Sequence, residues 1–261
     1  MSATPLHRVY RAEPWANGPA RVYARLAEAL LARCPLPLRG ALLLDAGAGT
    51  GAVSAAAVAA GARVVAADVA LDMLLHERGR RPPAAAADVL ALPLRDGCVD
   101  VAAGAFLLNH LADPGAALDE LGRVVRPGGA VLAATFAARS SDALKSGVDA
   151  VLDTHGYRPP LWYRRLKGEL EPLTATAGRL AAVARRAGMR DARVEEVEVE
   201  LGTLGPGELA AYRLGMPAVS GFLESLDPDR RTRVWEEARR AAGAAQPYVV
   251  RMLVLSITLA A

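Results

Sequence analysis

The stretch Ala41-Leu-Leu-Leu-Asp-Ala-Gly-Ala-Gly-Thr-Gly51 decides how the chain is read. Residues 41–44 are a short apolar run of the kind that fills a central parallel strand, Asp45 puts a carboxylate at its carboxyl end, and three alternating glycines follow. The alanine-rich residues 52–60 then favour a helix. Gly47, Gly49 and Gly51 clear side chains from the turn, so a ligand can lie against backbone N–H groups at a helix N-terminus. The same spacing, Gly47-x-Gly49-x-x-Ala52, also satisfies the permissive dinucleotide fingerprint. Asp45 separates the two readings. A fixed negative charge two positions before the first glycine suits an ammonium or sulfonium better than a pyrophosphate.

Downstream, residues 62–67 read as a second strand ending in Asp68, 17 positions beyond Gly51, where a doubly wound fold places the acid that binds a ribose diol. Residues 70–78 read as a helix carrying Leu71, Leu74 and Leu75, and residues 84–87 as a weak third strand ending in Asp88. Residues 99–104 give a fourth strand leading into Ala105-Phe-Leu-Leu-Asn-His110. Asp113-Pro114 is an N-cap and first-turn pair for a helix through residue 125, and Arg126-Pro-Gly-Gly129 turns the chain into a fifth strand over residues 130–136. Upstream, after an extended start, residues 17–33 show Val22, Tyr23, Leu26, Leu30 and Leu31 at helical spacing, stopped by Cys34-Pro-Leu-Pro37. This alternation predicts an α/β, doubly wound, mostly parallel sheet with right-handed crossovers, whose ligand lies beyond the carboxyl ends of the strands.

The run Asp45-Ala-Gly-Ala-Gly-Thr-Gly51 resembles motif I of class I S-adenosylmethionine-dependent methyltransferases, and residues 42–136 resemble the branch that includes quinone-biosynthetic enzymes. The resemblance implies a seven-stranded Rossmann-like sheet with an antiparallel last strand and a helical cap. It implies S-adenosylmethionine as cofactor, S-adenosylhomocysteine as product and a small-molecule acceptor, such as a secondary metabolite or quinone-like compound. Within it, Asp68 matches the acid that holds the ribose hydroxyls, Val69 and Met73 line the adenine, and Asp88-Val89 reads the adenine edge. Residues 100–110, Phe106 among them, match the segment after the fourth strand, and Leu121-Gly-Arg-Val-Val-Arg-Pro-Gly-Gly129 matches the family's glycine turn. Tyr10 and Trp15 are placed to close over the cofactor, or simply to anchor the N-terminal segment to the sheet.

Length and composition agree with one large domain carrying additions. The 261 residues are 52% hydrophobic and 23% charged, with a net charge of +3. Arginines are scattered and only Lys145 and Lys167 are lysines, so no basic stripe with interleaved aromatics points to nucleic acid. Cys34 and Cys98 are isolated, and His7, His76, His110 and His155 lack metal-ligand spacing, which predicts a reduced, cytoplasmic, metal-free protein, monomer or homodimer. Residues 1–15 lack the apolar run of a signal peptide, and residues 252–261 are too few to span a bilayer and read as a buried strand.

The chain divides into an N-terminal helical lid segment (residues 1–40), the cofactor core (41–136), a helical insertion and core helix (137–190), and the last two strands with an intervening helical cap (191–261). In the last region residues 194–201 alternate Val197, Val199 and Leu201 against Glu196, Glu198 and Glu200, and residues 248–259 supply the final strand. The two insertions, residues 139–175 and 202–247, are expected to hold acceptor choice through Tyr157, Trp162 and Tyr212, with Met216, Phe222 and Trp235 as pocket lining or packing between cap helices. If the acceptor needs a base, His110 is the first candidate, since it follows the fourth strand on the cofactor side, and His155 the second. Plainer roles stand beside both: His110 as a loop-ordering residue, His155 as an exposed loop histidine. Two other readings share these motifs, a nicotinamide-dependent oxidoreductase and a protein that keeps the cofactor fold for cyclisation or another non-methylating role.

Overall fold

The structure, a computed structural model, describes residues 8–138 and 143–260. Two helices come first, α1 (Ala12–Ala16) and α2 (Pro19–Leu31). Alternating elements follow: β1 (Leu42–Ala46), α3 (Ala52–Ala59), β2 (Arg63–Asp68), α4 (Leu71–Leu75), β3 (Ala84–Ala86), β4 (Val99–Ala105), α5 (Pro114–Val124) and β5 (Val125–Phe136). Next are α6 (Ala143–Thr154), α7 (Leu161–Arg165) and α8 (Ala177–Arg186), with a π-helical turn Leu166–Leu170 and a 3-10 turn Glu171–Leu173 between the last two. β6 (Arg193–Leu204), α9 (Pro206–Leu214), α10 (Pro217–Glu224), α11 (Pro228–Ala241) and β7 (Gln246–Thr258) complete the chain.

The seven strands lie in the order β3-β2-β1-β4-β5-β7-β6. The first five are parallel, and β7 runs antiparallel to both β5 and β6. Register sets Asp45 of β1 opposite Ala66 and Ala103, and Asp68 of β2 opposite Ala86, which brings the strand-end acids to one rim of the sheet. Side-chain alternation then divides the interior. Leu43, Leu132 and Val254 face α2, α3 and the cap helices, while Leu44, Val131 and Leu255 face α5 and α8. No described helix is long and apolar enough to cross a membrane.

Helix boundaries follow local chemistry. Pro19 opens α2 at its first turn; Asp113 accepts the Ala116 N–H at 3.1 Å to cap α5, and Asp227 accepts the Arg230 N–H at 2.9 Å to cap α11. Several expectations need correction. The extended start contains the one-turn helix α1, and the helix expected over residues 70–78 stops at Leu75, beyond which Glu77 takes a left-handed φ of 47°. The turn at residues 126–129 is not a break before the fifth strand but an irregularity inside β5, where the register with β4 shifts between Val99 and Val101. The insertions hold more helix than foreseen, with α7 and its π turn in the first and α10 in the second. The first four residues of the expected first insertion, 139–142, and His7 lie outside the described residues.

Candidate functional site

Asp45 is almost fully buried, and its Oδ2 accepts the Ser54 N–H at 2.9 Å and the Ser54 hydroxyl at 2.6 Å, so the acid ending β1 ties down the first turn of α3. Burial, opposed by those two bonds, pushes its pKa up to about 6. Between the two elements Gly47, Gly49 and Gly51 take φ of +69°, +52° and +97°, values that an L side chain rarely adopts, which accounts for the alternation in the sequence. Asp68 accepts the Gly49 N–H at 2.7 Å through Oδ2 and the Ala70 N–H at 2.8 Å through Oδ1; burial raises its pKa against those bonds. Arg81 braces this corner from behind, its Nη1 donating to the carbonyls of Gly49, Met73 and Leu74.

A cavity of about 340 Å³ opens at the carboxyl ends of β1, β2 and β4. Asp45, Gly47, Gly49 and Asp68 form one side of it, and Val69, Met73, Asp88 and Val89 the next. Tyr10, Trp15, Phe106 and His110 close the opposite wall. Its charged lining residues are three aspartates, with no lysine or arginine among them, so the cavity is built for a cation. Two expected site residues are not on its surface. Gly51 caps α3 and looks toward Arg81, and His155 sits at the end of α6, where Nε2 meets Glu237 Oε2 of α11 at 2.8 Å. His155 is therefore a tie between cap helices and not a base for this cavity.

The aromatic wall is continuous. Ring centroids are 5.7 Å apart for Tyr10–Trp15, 4.6 Å for Trp15–Tyr23, 5.2 Å for Tyr23–Phe106 and 4.4 Å for Phe106–Phe136. Phe106 holds a left-handed φ of 54°, and its N–H donates to Ala134 O at 2.8 Å, so packing and β5 together fix a strained residue at the cavity face. Tyr10 Oη and His110 Nε2 lie 3.2 Å apart, while His110 Nδ1 is enclosed without a partner. Burial, helped by the positive charge of Lys167, lowers the His110 pKa to about 4, and burial raises that of Tyr10. At neutral pH the pair is thus an uncharged imidazole against a protonated phenol.

Sequence reading missed Tyr23 as a lining residue, since its place on an apolar helix face is equally that of a core residue, and it missed Arg81, whose carbonyl partners no spacing reveals. Conversely, Tyr157 and Tyr212 are buried in the cap. The Tyr157 hydroxyl donates to Ala218 O at 3.0 Å and its ring packs on Phe222; Tyr212 packs on Tyr248. Trp162 stacks edge-on against Tyr163, and Trp235 is more than a third exposed. None of the four lines the cavity. Met216 instead packs with Trp15 and Met73 against the lid.

The family pattern described as a methyltransferase domain matches residues 44–133. Over these residues the chain is similar to methyltransferase domains. The chain is also similar to curated relatives: 39% identity over 124 residues to demethylmenaquinone methyltransferase of Clavibacter sepedonicus, covering 45% of this chain and 50% of that protein. A malonyl-[acyl-carrier protein] O-methyltransferase of Pseudescherichia vulneris is 40% identical over 134 residues, covering 51% of this chain and 53% of its own. The chain thus spans about half the length of these relatives. Among solved structures, phosphoethanolamine N-methyltransferase 2 of Haemonchus contortus superposes over 90% of this chain and 52% of its own with a TM-score of 0.52 at 17% identity, which establishes a shared fold for the methyltransferase domain and its surroundings.

Proposed function

We propose that the protein transfers the methyl group of S-adenosylmethionine to a small-molecule acceptor. The observation that carries this is a cavity joining the strand-end aspartates and side-chain-free glycine turn to the Tyr10–His110 pair on the facing wall. The residues fit the cofactor. The two oxygens of Asp68 accept the Gly49 and Ala70 N–H groups separately, which leaves acceptor capacity for a ribose hydroxyl. Asp88 is exposed at the cavity edge, where it can accept from an exocyclic amine, and the aspartates favour a positively charged ligand. When bound, S-adenosylmethionine supplies a methyl group activated by a positive sulfur. The chain's own contribution is to orient that group, exclude water with the wall from Tyr10 to Phe136, and hold a neutral hydrogen-bonding pair where the acceptor must sit.

The names of the two relatives suggest quinone-like and carboxylate acceptors as the first classes to assay, in a cytoplasmic setting consistent with the free cysteines Cys34 and Cys98. Calorimetry with S-adenosylhomocysteine and with NADH, followed by transfer of a labelled methyl group, tests the reading. Saturable binding of S-adenosylhomocysteine and label in a product support it; binding of NADH with no response to S-adenosylhomocysteine overturns it, and cofactor binding without label in any acceptor favours a non-methylating role.

A further inference from the structure

The contact between Tyr10 and His110 has a direction, and the enclosure of one atom decides it. Both residues line the cavity, with Tyr10 Oη and His110 Nε2 3.2 Å apart. A neutral imidazole carries its proton on one nitrogen, so the contact can run either way. With the proton on Nδ1, Nε2 accepts from the Tyr10 hydroxyl, and an N–H donor is sealed at Nδ1, where neither solvent nor a protein acceptor reaches it. An imidazolium would seal the same donor. With the proton on Nε2, that N–H donates to Tyr10 Oη, and what is sealed at Nδ1 is a bare lone pair. Buried N–H groups without a partner are rarer than buried acceptors without one, so the proton belongs on Nε2. The hydrogen of the Tyr10 hydroxyl is then not spent on His110, and among the described residues Oη has no second hydrogen-bond partner.

We infer that Tyr10 determines specificity on this wall, its hydroxyl donating to a hydrogen-bond-accepting oxygen of the methyl acceptor, a carbonyl in the first instance, and that His110 is a positioning residue that orients this donor by donating to it. This rests on the methyltransferase reading above. The two sides of the cavity are then complementary, since the aspartates accept and Tyr10 donates. An acceptor whose polar group is an ammonium brings no lone pair, and it would leave the hydroxyl unpaired among the rings of Trp15, Tyr23 and Phe106. A carbonyl oxygen brings two lone pairs and pairs it. The same geometry takes His110 out of consideration as a base. Nε2 already holds the proton and Nδ1 is closed off, so neither nitrogen can receive one from a molecule in the cavity.

The test uses acetophenone and α-methylstyrene, neutral probes of one shape in which a carbonyl oxygen stands in place of a methylene, titrated into the protein saturated with S-adenosylhomocysteine. Comparing the parent with Tyr10→Phe for each probe cancels the difference in their transfer from water. Tyr10→Phe is expected to bind acetophenone about fivefold more weakly than the parent, the scale of one neutral hydrogen bond, and to bind α-methylstyrene and S-adenosylhomocysteine within about twofold. His110→Gln, whose amide N–H can stand where Nε2 does, should keep the parent's discrimination between the probes, and His110→Leu should lose it. Heteronuclear NMR of the histidine ring nitrogens, with the His110 signals assigned by their loss in His110→Gln, should show Nε2 protonated and Nδ1 bare in the parent. A proton on Nδ1, weakening of both probes alike or of neither, binding of neither probe, loss of discrimination in His110→Gln, or full discrimination in His110→Leu overturns the inference. So does a matching loss of S-adenosylhomocysteine affinity in Tyr10→Phe, which would give the hydroxyl to the cofactor. Failure of the parent protein to bind S-adenosylhomocysteine would instead overturn the methyltransferase reading.

Discussion

Asp45 and Asp68 end neighbouring strands yet do different work. Asp45 spends one oxygen on Ser54, whereas Asp68 takes the Gly49 and Ala70 N–H groups on separate oxygens at the cavity wall. Asp68→Ala should therefore weaken S-adenosylhomocysteine binding by about 1.5–3 kcal/mol, the scale of hydrogen bonds to a charged group; an unchanged dissociation constant in a folded variant would place the ribose elsewhere. Asp45 and His110 also set an opposed pH response. Asp45 is raised from 3.8 to about 6, so its folded form binds a proton first, and stability rises as pH falls through that window. His110 is lowered from 6.5 to about 4, so the unfolded form binds the proton first, and stability falls between those values. Each displacement corresponds to about 3 kcal/mol, and the two nearly cancel. In denaturant titrations at pH 7 and pH 4, His110→Gln should lose less stability than the parent and Asp45→Asn more; identical losses in all three would refute the assignment. The aspartates were legible because a strand end fixes where a side chain goes. Arg81 was not, because its carbonyl partners lie on segments brought near only by folding.

At the scale of elements, the lid is keyed to the cap by two glycines that no motif announced. A Cβ on Gly18, between α1 and α2, would lie 2.1 Å from the carbonyl oxygen of Ala211 in α9, and one on Gly215 would lie 2.4 Å from that of Pro14. Both obstacles are backbone. Asp72 of α4 adds a second fastening by accepting the Ala12 N–H at 2.9 Å. Gly18→Ala should destabilise the fold by about 1–3 kcal/mol, as overpacking does, and weaken S-adenosylhomocysteine binding although residue 18 touches no part of the cavity. A melting temperature and dissociation constant equal to those of the parent would show that α9 yields freely. Long periodic helices such as α2 and α11 could be read from their apolar spacing and Pro-containing starts. The one-turn α1 could not, since five residues carry no period, and neither could the shift from α to π winding after α7.

Across the whole molecule, the parallel core was legible because β1 and β2 carry acids at their carboxyl ends and the crossovers holding α3 and α5 carry helical patterns. The cap was not, because its aromatic residues look alike whether they line a cavity or fill one; Tyr157 and Tyr212 fill one. The wall facing the aspartates is accordingly formed by the N-terminal segment and the loop after β4. The order of strands has a further effect at the far side. β6 ends the sheet, and its twelve residues leave a long row of backbone groups without a neighbour. Glu196, Glu198 and Glu200 are exposed at every second position along it, so the same edge of a second copy brought alongside would crowd carboxylates together. The alternation that marks a half-buried strand in the sequence thus also sets like charges against one another wherever two copies of this edge meet, which disfavours edge-to-edge pairing.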